Sequence, residues 1–88
     1  MNVNDDFLKK TLLAAAESYP RAIPHEECEA LMKPVDEKVI MATWVYMYEK
    51  GLITKSVTLG SGDHCNFMSP TLTAYGIDYV REIQKQAD

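Results

Sequence analysis

The most telling shortage in this sequence is of positive charge. Nine Lys and Arg face 13 Asp and Glu, a formal net charge of −4. A protein that holds phosphate backbones by bulk charge carries the opposite sign. Long apolar runs are also missing: none approaches the ~20 residues of a transmembrane helix. The start, MNVNDDFLKK, has no cationic lead into an apolar stretch, so no secretory signal is expected. Only two cysteines occur, Cys28 and Cys65. Two are too few for a disulfide framework and fit a reducing compartment, which predicts a cytoplasmic protein. Glycine and proline number four each, and neither clusters into a linker or a low-complexity tract.

What is present is ordinary globular material. Of 88 residues, 47% are hydrophobic and 25% charged, which excludes a disordered chain. The length predicts one domain over residues 1–88, with one small core and a stability of about 4–13 kcal/mol. A deep two-lobed catalytic cleft does not fit in such a core, and no enzyme activity is expected.

Apolar spacing and punctuation divide the chain. Asn4 caps a first helix over about 5–18, with Asp5 and Asp6 where the helix dipole favours acids. Asp5–Lys9 and Asp6–Lys10 are i,i+4 pairs in the favourable order. Leu8, Leu12, Ala15 and Tyr19 form the apolar stripe, and Pro20 ends it. Pro20–Pro24 reads as a short strand or extended connector, because residues before proline avoid helical backbone. A second helix spans about 25–32, with Cys28, Leu31 and Met32 on one face and Pro34 as its stop. After a tight turn, Asp36 caps a third helix over about 36–50, and Gly51 suits the residue just past its end.

Beyond Gly51 the period shifts from 3.6 to 2. Residues 52–59, the flexible turn Gly60-Ser61-Gly62-Asp63 and residues 64–69 read as a β-hairpin over about 52–69. Pro70 closes it. Thr73 caps a last helix over about 73–86, with Ile77, Val80 and Ile83 inward. The class is α+β. The order is helix, short strand, helix, tight turn, helix, hairpin, helix, with a helix-turn-helix in the middle.

Two stretches make this order resemble the winged helix-turn-helix family. Met47-Tyr48-Glu49-Lys50-Gly51-Leu52-Ile53 is similar to the family's "L-x-x-x-G-L-I" exit from the recognition helix. Leu72-Thr73-Ala74-Tyr75-Gly76-Ile77-Asp78-Tyr79-Val80 is similar to the "L-T-x-x-G-x-[DE]-[YF]-[LV]" opening of the last helix in small bacterial and phage-associated members. The likeness runs from about Phe7 to Gln86. It implies one winged-helix domain, with a three-helix core and a small hairpin wing. It also implies a DNA-binding transcription regulator that acts as a homodimer. Its third helix would enter the major groove and its wing would touch the backbone or minor groove.

Mapped onto this chain, the resemblance offers Lys38, Met41, Ala42 and Thr43 to base edges. Arg21, Lys33 and Lys55 are the candidate phosphate contacts. Any of these lysines could equally be plain solvated surface. Ile40, Trp44 and Met47 point inward at helical spacing. The opposite face carries Lys38, Ala42 and Glu49 flanked by Val39, Met41, Val45 and Tyr46, unusually apolar for a reading surface. Its cover could be the chain's own first and last helices or another protein. The acid excess lies in the second helix (−2), with one excess acid in each of the third and last helical segments, and no segment is basic.

Trp44, Tyr46, Met47, Tyr48, Tyr75 and Tyr79 read mostly as core. Tyr46 and the late tyrosines Tyr75 and Tyr79 are the interface candidates. His25-x-x-Cys28 and His64-Cys65 supply nominal zinc ligands, but adjacent strand residues point to opposite faces, so no metal or other cofactor is expected. Cys28 reads as buried and His64 as exposed beside the wing tip. A Cys/His nucleophile lacks an orienting third group. Two functions follow. The first is DNA-binding regulation by a homodimer on double-stranded DNA. The second is a winged-helix protein–protein interaction module that does not read DNA.

Overall fold

The computed structural model describes residues 2–60 and 65–86. Among these, α1 (Asp5–Ser18), α2 (His25–Met32), α3 (Glu37–Glu49), β1 (Val57–Leu59), β2 (Cys65–Phe67) and α4 (Ala74–Gln86) follow one another. The class is α+β: four helices and one two-stranded antiparallel hairpin, with Val57 opposite Phe67 and Leu59 opposite Cys65.

Local chemistry sets the helix limits. The Asn4 side chain accepts from the Phe7 N–H at 2.9 Å, and Asp36 accepts from the Lys38 N–H at 2.8 Å, so each caps its helix. Of the two expected ion pairs on α1, the structure forms Asp6–Lys10 at 3.1 Å. The stripe of α1 is buried from Leu8 to Ala15, but Tyr19 lies past the helix end and is exposed.

The expected strand over 20–24 does not form. Pro20 and Pro24 remove two N–H donors, leaving too few for a ladder. The connector keeps one sheet-like bond, Ile23 N–H to Pro70 C=O at 3.1 Å, and buries Ile23. A third extended contact comes from elsewhere, an isolated antiparallel bridge between Ile53 and Leu72. Among the described residues the hairpin ladder is also shorter than residues 52–69; Ser61, Gly62 and Asp63 of the expected turn, and His64 of the expected return strand, lie outside those residues.

Trp44 organises the core. It is fully buried, stacks on Phe7 of α1 with centroids 5.8 Å apart, and meets Phe67 of β2 edge-on at the same separation. Its indole N–H donates to the Thr11 hydroxyl at 3.2 Å, and that hydroxyl donates to the Phe7 carbonyl at 2.9 Å. The buried polar atoms between α1 and α3 are thus paired within the fold.

Where α3 hands over to α4, the chain is most tightly tied. Gly51 has φ +80°, the left-handed backbone that glycine adopts freely. The Leu52 N–H reaches the Met47 carbonyl and the Gly51 N–H the Tyr48 carbonyl, both at 2.9 Å, a Schellman cap. Thr73 opens α4 with a doubly used hydroxyl. It accepts from the Gly76 N–H at 2.9 Å and donates toward the Gly51 and Leu52 carbonyls. Gly76 is buried against the Leu52 carbonyl and the Leu72 side chain, closely enough that a Cβ there would overlap both.

Candidate nucleic-acid interface

The helix-turn-helix is built from α2, the turn at Lys33–Asp36 and α3. Ile40, Thr43, Trp44 and Met47 anchor α3 in the core. Lys38, Met41, Ala42, Val45, Tyr48 and Glu49 form one outward strip, and Glu37 and Tyr46, both exposed, and half-buried Val39 lie beside it. Lys38 and Glu49 are exposed at its two ends. Met41, Ala42 and Val45 are half-buried between them, and Met41 and Val45 pack against the chain's own core. The apolar face noted in the sequence is therefore covered in part by the fold itself.

Thr43 corrects the sequence reading. It is wholly buried, and its hydroxyl accepts from the Asn4 N–H at 3.1 Å. The side chain fastens the start of α1 to α3 and has no surface to offer a base.

The candidate phosphate contacts are all exposed but sit on separate elements. Arg21 lies in the connector after α1, Lys33 follows the last residue of α2, and Lys55 precedes β1. Lys33 shares a shallow depression with Glu29, Glu37 and Phe67, and Lys55 shares another with Glu49. Lys33 and Lys38 flank the same turn, where the exposed carboxylates of Asp36 and Glu37 offset their charge.

Of the interface tyrosines, two come together. Tyr46 and Tyr79 line a depression of about 510 Å³ with Leu8, Ile83, Asp5 and Lys9, where α1, α3 and α4 meet. The Lys50 ammonium lies 5.6 Å above the Tyr46 ring. Tyr75 is 60% exposed and stands apart from that group, beside Gly51. Tyr48, read as core, is also largely exposed.

Cys28 is buried, and burial pushes its thiol above the ordinary value. The Cys65 thiol donates to the Glu37 carboxylate at 3.1 Å, and this bond to a negative acceptor raises its pKa too. Among the described residues no three His, Cys, Asp or Glu side chains gather as a metal site. His64 lies outside those residues. No described helix is long and apolar enough to cross a membrane.

A second surface went unread in the sequence. Val45 and Tyr48 of α3 face Val57 and Leu59 of β1 across a groove of about 300 Å³. Leu59 is 67% exposed. Its available signal was the strand period, which puts Leu59 on the same side as Val57.

Compared with protein-family models, with curated proteins and with solved structures, the chain matches none.

Proposed function

We propose that this chain is a small winged-helix DNA-binding transcription regulator. It acts as a homodimer in the cytoplasm, where its two thiols stay reduced. One observation supports the reading: behind an Asp36-capped turn flanked by Lys33 and Lys38, the start of α3 leaves Lys38 exposed and Met41 and Ala42 half-buried. Lys38, Met41 and Ala42 are the groove-facing set, with methyl groups suited to thymine. Lys33 contacts phosphate, and Arg21 and Lys55 add weaker contacts. The Tyr46–Tyr79 depression supports pairing of two copies. Two copies double the phosphate contacts, which the acidic balance makes necessary. Half-sites then lie about one helical turn apart.

Fluorescence anisotropy on random-sequence duplex DNA at low salt tests this. Binding should weaken steeply as salt rises, and Lys38→Glu should lower affinity at least about tenfold. Absence of binding at low salt, or an unchanged affinity in Lys38→Glu, sinks the reading.

A second reading has its own observation. The centre of the α3 face is apolar and runs through Val45 into the groove at Tyr48 and Leu59. That favours a winged-helix module that binds protein and does not read DNA.

A further inference from the structure

The groove between α3 and β1 has a floor that favours one kind of occupant. The Met68 N–H bonds the Ser56 carbonyl at 2.8 Å, and the ladder pairs Val57 with Phe67 and Leu59 with Cys65. Antiparallel strands alternate bonded and non-bonded pairs. Ser56–Met68 is a bonded pair, so Val57 and Leu59 belong to non-bonded pairs. Their N–H and C=O groups turn away from β2, toward the outer edge of β1. Among the described residues no further strand pairs with that edge. The groove runs along it, lined by 55–59 on one side and by Trp44, Val45, Tyr48 and Glu49 on the other.

Ser56 makes an independent point. It is 1% exposed, lines the same groove, and its hydroxyl has no hydrogen-bond partner. Folded proteins rarely leave a buried hydroxyl so. Tyr48 and Leu59, both exposed, line the groove with it. An unpaired strand edge, an unpartnered hydroxyl and two exposed apolar side chains thus meet in one groove.

We propose that this groove binds an extended peptide segment of a partner protein. The segment adds as a third strand along the outer edge of β1. Its main chain bonds the outward groups of Val57 and Leu59, and one large apolar side chain packs between Val45, Tyr48 and Leu59. A backbone is the ligand that matches a strand edge: main-chain bonds hold it, and pockets for alternate side chains select it. The Ser56 hydroxyl offers one more donor or acceptor at the groove floor. The proposal is separate from the DNA-binding reading, since its contacts do not include Lys38, Met41 or Ala42, and it rests on and deepens the protein-binding reading, whose groove at Val45, Tyr48 and Leu59 it shares.

Fluorescein-labelled peptides that alternate threonine with valine, leucine, phenylalanine or tyrosine are the probes. Anisotropy should saturate for at least one of them. Amide resonances of Val57 and Leu59 should shift more than those of α1. N-methylation of alternate peptide backbone nitrogens should weaken binding at least about tenfold. Leu59→Lys and Tyr48→Ser should do the same while leaving the fold intact, since both side chains are exposed. Lys38→Glu should leave peptide affinity unchanged, so failure here and failure of DNA binding are separate results. Three outcomes overturn the proposal. The first is no saturable binding by any peptide. The second is equal binding of the N-methylated form. The third is shifts at Val57 and Leu59 that grow with protein concentration alone, which would make the occupant a second copy.

Discussion

The α3–α4 junction and the outer face of α3 share a helix and differ in almost everything else. At the junction, Gly51, Leu52, Leu72, Thr73 and Gly76 interlock through caps, shared carbonyls and contact too close for a Cβ. On the outer face, Lys38, Tyr48 and Glu49 are exposed and Met41, Ala42 and Val45 only half-buried. The two stretches that resemble the winged-helix family are the two halves of the junction. "L-x-x-x-G-L-I" spells a Schellman cap, with Met47, Gly51 and Leu52 at its key positions. "L-T-x-x-G" spells an N-cap followed by a glycine pressed on the preceding turn. The resemblance therefore reports how α3 and α4 are joined. It carries no information about what α3 touches, and the proposed function rests on the face it does not cover.

Substitution at Gly76 breaks this contrast most directly. Gly76→Ala puts a Cβ against the Leu52 carbonyl, a backbone atom that cannot swing aside. The ordinary helix preference for alanine is outweighed, and the variant should lose about 2–3 kcal/mol. Urea unfolding followed by the fluorescence of the single tryptophan measures it. A variant as stable as the parent would mean that α4 sits less tightly than described.

Thr73→Ala comes next, at about 1–2 kcal/mol. It removes the cap on Gly76 N–H and the donor shared by the Gly51 and Leu52 carbonyls. Thr73→Ser keeps the hydroxyl and should recover most of the loss. Recovery identifies the hydroxyl, and not the methyl group, as the stabilising part.

On the other region the same method should read almost nothing. Lys38→Glu lies on an exposed face and should change stability by no more than about 0.5 kcal/mol. On the proposed DNA-binding reading its effect falls on DNA affinity alone. A large stability loss would mean that Lys38 is part of the fold and would remove the contrast.

Legibility in the sequence follows the range of the interactions. Caps at Asn4, Asp36, Gly51 and Thr73 act within a few residues, so residue type and spacing revealed them. The inward set Ile40, Trp44 and Met47 follows from helical period alone. The strand expected over 20–24 failed because its partners are set by distant chain, and two prolines left it one bond. Thr43 was misplaced because Asn4, 39 residues away, claims its hydroxyl. Tyr48 and Leu59 were not recognised as a pair because the groove exists only once β1 folds back along α3.

The smallest effect lies between the regions, where Glu37 at the start of α3 meets Cys65 of β2. Bonding to a carboxylate favours the protonated thiol, so the folded pKa lies above the ordinary one. The sign for stability follows. The contribution is full below the unfolded thiol pKa and is lost as pH rises through the raised folded value. Burial gives Cys28 the same direction, so Cys65→Ser should flatten only part of the alkaline decline. Reactivity separates the two thiols. Near pH 8, Glu37→Gln should speed alkylation of Cys65 by lowering its pKa, and leave Cys28 slow until the protein unfolds. The readout is the alkylation rate of each cysteine, resolved by mass spectrometry. An unchanged Cys65 rate would show that the thiol does not engage Glu37 in solution, and β2 would then be held to α3 by the Trp44–Phe67 contact without it.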